Sequence, residues 1–346
     1  MSSESETAMR EKTIRSGCAL CSEEILLASR SDDRRVADAD LTFVFRIKVG
    51  VNSSVQQLEW VWNDYDWTVV SVCYDPLRDL RCVLSREGEV NIYGPGGEPD
   101  ATFQIPEAGV FGKSAKGLGY VNRIRAIGGQ LYVCGQSRQL WRSDFNGPHL
   151  TSCKWTDLAG AIRQSPPAEL PIDPELLDQW LDEHNAVDFV DVDGTGDADI
   201  YVVGDEAWHW EGRSWQQICL PNDLPLNAIK MVSPDMVFVA GRGGLLVGNA
   251  IDGFSTATSV TTEENFTSIE WFEGKLYLAS PAGLHVYDLK TRTIVRCRTR
   301  LAPELQDAHS LEARDGVLWS FGLKDIARFD GYAWVRIDHP DNSPIR

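Results

Sequence analysis

At 346 residues and 43% apolar content, the chain can bury one large core or a closed array of small ones. Its twelve Trp and twelve Phe supply rings that fill the wedges between packed sheets. A formal charge of −18 argues against phosphate-backbone binding, which is the work of Lys and Arg, and better fits a basic protein, a metal ion or no charged partner at all.

Residues 1–11 are polar and acidic, without the basic start and apolar run of a secretory leader. No apolar stretch approaches the roughly 18–20 residues of a membrane span. The expectation is a cytoplasmic monomer with no membrane or nucleic-acid partner. Cys18-Ala-Leu-Cys21 is a lone CxxC. With neither a second CxxC nor an HxxxH nearby, free buried thiols are expected for the eight cysteines.

Strand-like segments at 12–16, 24–28, 41–48 and 57–62 come first. From Cys82 onward one unit recurs: an apolar strand, a small-residue turn and a second short strand. Its copies are Cys82–Ser85 with Val90–Tyr93, Leu131–Gly135 with Leu140-Trp141, Tyr201–Gly204 with Trp208–Trp210, Val237–Gly241 with Leu245–Val247, Leu276–Ser280 with Leu284–Tyr287, and Leu318–Gly322 with Ile326–Phe329. The closing small residues stand 50, 69, 37, 39 and 42 apart, the last three near the period of a four-stranded propeller blade. In the last copy, strands are expected at 309–314, 317–321, 326–329 and 333–337, with Asp-Gly turns between them. The fold expected is an all-β propeller over residues 12–340, with residues 341–346 as a tail. It has six four-stranded blades, or seven if the segments before residue 66 supply one.

The gap of 69 holds an insertion. From Gln164 to Gly212 there are fourteen Asp or Glu and no Lys or Arg. Residues 165–185 hold a Pro-rich linker and then a short helix, with Asp173 as cap and Pro174 at its first position. Leu176, Leu177, Trp180 and Leu181 form its apolar stripe; Asp178, Asp182 and Glu183 form its acidic face, a docking surface for a basic protein or simply a solvated one. Further on, Asp191-Val-Asp193-Gly-Thr195-Gly-Asp197-Ala-Asp199 places oxygens at alternate positions, a pattern suited to a hard cation when the loop is tightly wound.

The turns between second and third strands and the inter-blade connections converge on one face of a propeller. They carry Arg86, Glu87, Arg138, Asp205, Glu206, Arg242, Lys324 and Asp325, a mixed-charge rim suited to a partner or to plain solvent exposure. The six His are scattered, and no nucleophile elbow, P-loop or Rossmann fingerprint occurs.

Glu211-Gly212-Arg213-Ser214-Trp215 and Asp330-Gly331-Tyr332-Ala333-Trp334 resemble the end of an Asp-box hairpin; Ser143-Asp144-Phe145-Asn146-Gly147 resembles a stretched one. Gly241–Leu246 followed by Asp252-Gly253-Phe254 resembles the repeat of propellers related to photosystem II stability factors. The loop at 191–199 resembles the calcium loop of FG-GAP and VCBS repeats. That last resemblance implies structural calcium held by the side chains of Asp191, Asp193, Thr195 and Asp199 and the Asp197 carbonyl. The functional expectation is a non-enzymatic protein-binding module of inhibitor or immunity type, whose acidic surface masks a basic toxin or enzyme. The alternatives are a sialidase- or lactonase-like hydrolase and a calcium-stabilised adhesion module.

Overall fold

The computed structural model describes residues 11–33, 41–49, 64–94, 100–145, 152–163, 187–222, 225–258 and 262–346. Within them, 28 strands form seven antiparallel four-stranded sheets, each continuous in sequence. Blade 1 is β1 (Lys12–Cys21), β2 (Glu24–Ser31), β3 (Thr42–Lys48) and β4 (Asp64–Tyr65). Blade 2 is β5 (Val69–Asp75), β6 (Leu80–Ser85), β7 (Glu89–Tyr93) and β8 (Ala101–Gln104). Blade 3 is β9 (Val121–Ile127), β10 (Gln130–Gly135), β11 (Gln139–Phe145) and β12 (Cys153–Asp157). Blade 4 is β13 (Phe189–Gly196), β14 (Asp199–Gly204), β15 (Ala207–Trp210) and β16 (Trp215–Gln217). Blade 5 is β17 (Leu226–Ser233), β18 (Met236–Gly241), β19 (Gly244–Asn249) and β20 (Gly253–Thr256). Blade 6 is β21 (Ser268–Phe272), β22 (Lys275–Ser280), β23 (Gly283–Asp288) and β24 (Thr293–Arg296). Blade 7 is β25 (Ser310–Arg314), β26 (Val317–Phe321), β27 (Ile326–Phe329) and β28 (Trp334–Ile337).

The open choice between six and seven blades thus resolves to seven. The last blade falls within a residue of the expected strands. In blade 1 the fourth strand is β4; the segment 57–62 and the helical insertion 165–185 lie outside the described residues.

Second strands read as nearly continuous apolar runs because both faces are covered: β26 is buried at every position, whereas the outer β20 and β8 are mostly exposed. The apolar side chains gather into seven cores, one at each seam between neighbouring blades. At the seam of blades 3 and 4, Tyr132 and Leu140 meet Phe189, Val192, Ile200 and Val202. At the seam of blades 7 and 1, Trp319, Phe321 and Ile326 meet Ile14, Ile25, Leu27 and Phe45. Each such fully buried side chain contributes about 1.5–3 kcal/mol by area removed from water.

This last core closes the ring without a strand exchanged between first and last blades. Polar contacts reinforce it: the Asn342 carboxamide accepts from the Lys12 N–H at 2.6 Å and donates to the Lys12 carbonyl at 2.9 Å. Arg328 Nε donates to the Ser22 carbonyl at 2.8 Å.

The inner strands β1, β5, β9, β13, β17, β21 and β25 line the channel, and their outward edges would leave backbone N–H groups unpaired. A bond recurring around the ring settles several of them. Ser16 Oγ accepts from Val72 N of the next blade at 3.0 Å. Ser71 Oγ accepts from Ile124 N at 3.2 Å. Asp191 Oδ2 accepts from Ile229 N at 3.2 Å, and Ser268 Oγ from Leu311 N at 3.1 Å. At the closing seam Glu312 Oε2 takes over, accepting from Ala19 N at 3.0 Å.

Where a glycine ends the second strand, it has a steric cause. At Gly204 and Gly241 a Cβ would collide with the carbonyls of Asp188 and Pro225, where the chain enters the inner strand.

Candidate functional site

Two places bring charged side chains together: the channel and the upper face, which carries the turns between second and third strands. The channel holds a cavity of about 180 Å³, lined only by inner-strand residues. Blades 3 to 7 face it with Arg123, Arg125, Asp193, Lys230, Glu270, Glu312 and Arg314; blades 1 and 2 contribute Gly17 and Tyr74.

These charges are largely paired. Arg125 grips the fully buried Asp191 through two bonds of 2.8 Å, and Arg123 stands 3.5 Å from the same carboxylate. Lys230 Nζ meets Glu270 at 2.6 Å, and Arg314 meets Glu312 at 2.8 Å. Burial pushes the Asp191 carboxyl up, but Arg125 and Arg123 outweigh it and hold the group below the usual range. For Glu270 burial wins over Lys230, and its carboxyl is raised.

The five residues expected to bind calcium do not converge. Phe189–Gly196 is an extended inner strand rather than a wound loop, so its carboxylates are spread along the strand instead of around one centre. Asp191 is held by Arg125, and Asp193 Oδ2 accepts from Met231 N of blade 5 at 2.8 Å. Thr195 donates to Asp199 Oδ2 at 2.9 Å, and the other Asp199 oxygen meets His209 Nε2 at 2.8 Å. Asp197 accepts from the Tyr132 hydroxyl at 3.1 Å. Among the described residues no cluster of three or more His, Cys, Asp or Glu has the arrangement of a metal site. Each of the five residues is thus engaged by a partner within the fold.

The same contacts revise the reading of the acidic run. Its second half, from Asp188 to Glu211, forms blade 4, and cations from neighbouring blades neutralise part of it. The first half, with Asp178, Asp182 and Glu183, lies outside the described residues.

On the upper face, Arg138 and Glu206 come from adjacent blades and bind each other at 2.7 and 3.0 Å; Trp208 Nε1 also donates to Glu206, at 2.7 Å. Burial raises the Glu206 carboxyl, but these donors lower it further. Asp325 is buried and bound to Arg336 at 2.8 Å. Lys324 turns to the closing seam, where it meets Asp32, Glu11 and the Lys12 carbonyl. Of the eight rim residues, Asp205 and Arg242 are exposed. Asp205 still accepts the Asp188 N–H at 2.8 Å.

The rim residue Glu87 also anchors a neighbouring loop. Glu87 Oε2, in the β6–β7 turn, accepts the Val110 and Phe111 N–H groups at 2.8 and 3.0 Å. It thereby fixes a loop tip whose Phe111 side chain is 78% exposed. The channel charges did leave a sequence signal. Arg123/Arg125, Asp191/Asp193 and Glu312/Arg314 sit at alternate positions of their strands, and the second strands that follow are uncharged apart from Asp199 at the start of β14.

Fold and site together define a seven-bladed β-propeller with a polar, internally paired channel and a partly self-neutralised rim. The chain is 28% identical over 280 residues to the immune protein Tsi7 of Pseudomonas aeruginosa, spanning 79% of this chain and 80% of that one. Solved structures share the fold. The WD40 β-propeller domain of Doa1 gives a TM-score of 0.57 at 12% identity, over 96% of this chain and 94% of that one. Sqt1 from Chaetomium thermophilum gives 0.57 at 12% identity, over 96% and 84%. No family model matches the chain. The resemblance to Asp-box and stability-factor repeats is supported at the level of the propeller, and the immunity-type expectation agrees with the similarity to Tsi7.

Proposed function

We propose that this protein is a non-enzymatic binding module of immunity type, which neutralises a toxin or enzyme by covering part of its surface. The observation that carries the reading is the likeness, across about four fifths of both chains, to a protein described as an immune protein. The channel supports it from the chemical side: its carboxylates are engaged by arginine, lysine or backbone N–H groups. Its cavity of about 180 Å³ is also smaller than the roughly 300–1,000 Å³ typical of small-molecule sites. A charge of −18 favours a basic partner, because complementary fields speed encounter and reject wrong partners. Eight free cysteines suit a reducing, cytoplasmic setting.

The test is to co-express the chain in bacteria with the protein encoded beside its own gene. Growth arrest by the neighbour alone, relieved by this chain, is the expected result. Arrest that persists despite soluble expression of the propeller contradicts the reading.

A further inference from the structure

One surface runs against the overall charge. The stretch 289–300, Leu-Lys-Thr-Arg-Thr-Ile-Val-Arg-Cys-Arg-Thr-Arg, spans the outermost strand β24 of blade 6 and carries five cations and no carboxylate, in a chain of net charge −18. Lys290, Arg292, Arg296, Arg298 and Arg300 are all exposed. Leu289 and Val295 are exposed between them, at 41% and 55%.

Protection of a free sheet edge does not account for this cluster. The paired strand β24 carries one charged residue, Arg296, as β28 carries Arg336, while β12 carries Lys154 and Asp157. What sets blade 6 apart is that Lys290, Arg292, Arg298 and Arg300, all of one sign, flank the paired segment. Edge protection would apply to every blade alike.

Two of the four guanidinium groups are positioned by backbone carbonyls without being neutralised. Arg292 donates to the carbonyls of Ala257 at 3.0 Å and Thr256 at 2.6 Å, and Arg296 to that of Leu305 at 3.3 Å. Among the described residues none of the five forms an ion pair. The flanking carboxylates are committed to backbone: Asp288 accepts the Lys290 and Thr291 N–H groups at 2.8 and 2.9 Å, and Glu304 those of Thr299 and Arg300 at 3.0 and 3.2 Å. Fixed, unneutralised arginines interleaved with aliphatic side chains match the composition of protein-binding surfaces, where Arg is enriched.

We propose that this outer edge of blade 6 docks an acidic segment of the partner protein. The inference rests on the proposed function and deepens it. The acidic bulk of the propeller draws a basic partner in, and the basic stripe then fixes its orientation by accepting the partner's locally acidic segment. A nucleic acid is the less favoured occupant, since the net charge of −18 repels a polyanion approaching from any distance beyond the stripe.

The test uses Arg298→Glu with Arg300→Glu, two exposed side chains outside the channel and rim, and Arg298→Lys with Arg300→Lys as a charge-preserving control. Thermal melts verify that each variant folds. A dye-labelled decaglutamate peptide should bind the native chain at low ionic strength, weaken by about tenfold in the Glu variant, and lose binding in high salt. Equal binding to native and Glu variant, no binding at all, or tighter binding of a ten-nucleotide DNA strand overturns the proposal. The neighbour-encoded protein serves as a second probe. If it binds native chain and Glu variant equally, the docking site is wrong while the immunity reading stands. If it binds neither while decaglutamate still selects the native chain, the immunity reading fails and the acidic docking site survives.

Discussion

Asp191 of blade 4 accepts the Ile229 N–H of blade 5 at 3.2 Å while Arg125 of blade 3 holds both its oxygens at 2.8 Å, so one carboxylate ties three blades together. Its position is the ring-wide one that Ser16, Ser71 and Ser268 occupy in other blades. The difference is that Asp191 brings a charge into a dry seam and must be matched there.

Removing that carboxylate takes the hydrogen-bond partners from the half-buried Arg125 guanidinium and from an edge N–H. Asp191→Ala is expected to cost about 3–5 kcal/mol, the usual penalty for orphaning one member of a buried ion pair. Asp191→Ser combined with Arg125→Met restores the serine pattern of blades 1, 2 and 6 and should recover most of the loss. Urea unfolding of the three proteins measures both effects.

A metal staple in the 191–199 hairpin would make stability depend on free calcium through mass action. Because those oxygens are engaged elsewhere, the melting temperature is expected to be the same in about 1 mM calcium and in excess chelator. A rise of several degrees with calcium would restore the loop reading.

His339 gives a pH signature. Burial, with Lys12 and Lys324 nearby, lowers its pKa to about 3, so it is neutral in the fold; Asp341 N donates to Nδ1 at 3.2 Å, which leaves the Nε2 proton for Ser29 Oγ at 3.1 Å. The unfolded imidazole titrates near 6.5. The folded value is the lower one, so this contribution is complete above about pH 6.5 and is lost as pH falls towards 3. It steepens the decline by at most about 1.4 kcal/mol per pH unit. His339→Gln should flatten the stability profile between about pH 6.5 and 4 relative to native protein.

The closing seam depends on Asn342, whose carboxamide satisfies both backbone groups of Lys12. Asn342→Ala is expected to cost about 1–3 kcal/mol, with the loss concentrated at blades 1 and 7. Hydrogen exchange should show faster opening of β1 and β28 with blades 3 to 5 unchanged.

The fold was legible because the repeat is local. Leu318–Gly322 with Ile326–Phe329 fixes a hairpin by apolar run and turn alone, and Gly204 or Gly241 marks the place where the inner strand crosses too close for a side chain. The channel was not legible, because each pair joins residues far apart in sequence: Arg125 meets Asp191, and Lys230 meets Glu270. Asp191 and Asp193 are ambiguous in the sequence for the same reason. Alternate carboxylates suit both a wound loop and one face of a strand, and the partners that decide between them sit in other blades. At the rim, Arg138 and Glu206 looked free along the chain, yet they lie side by side once blades 3 and 4 are neighbours.

The most direct test of the account is to titrate the activity of the neighbour-encoded protein with purified propeller. The account predicts that its activity falls linearly and is abolished near one equivalent, with association that slows as salt rises. Undiminished activity in the presence of a large molar excess of folded propeller would contradict it.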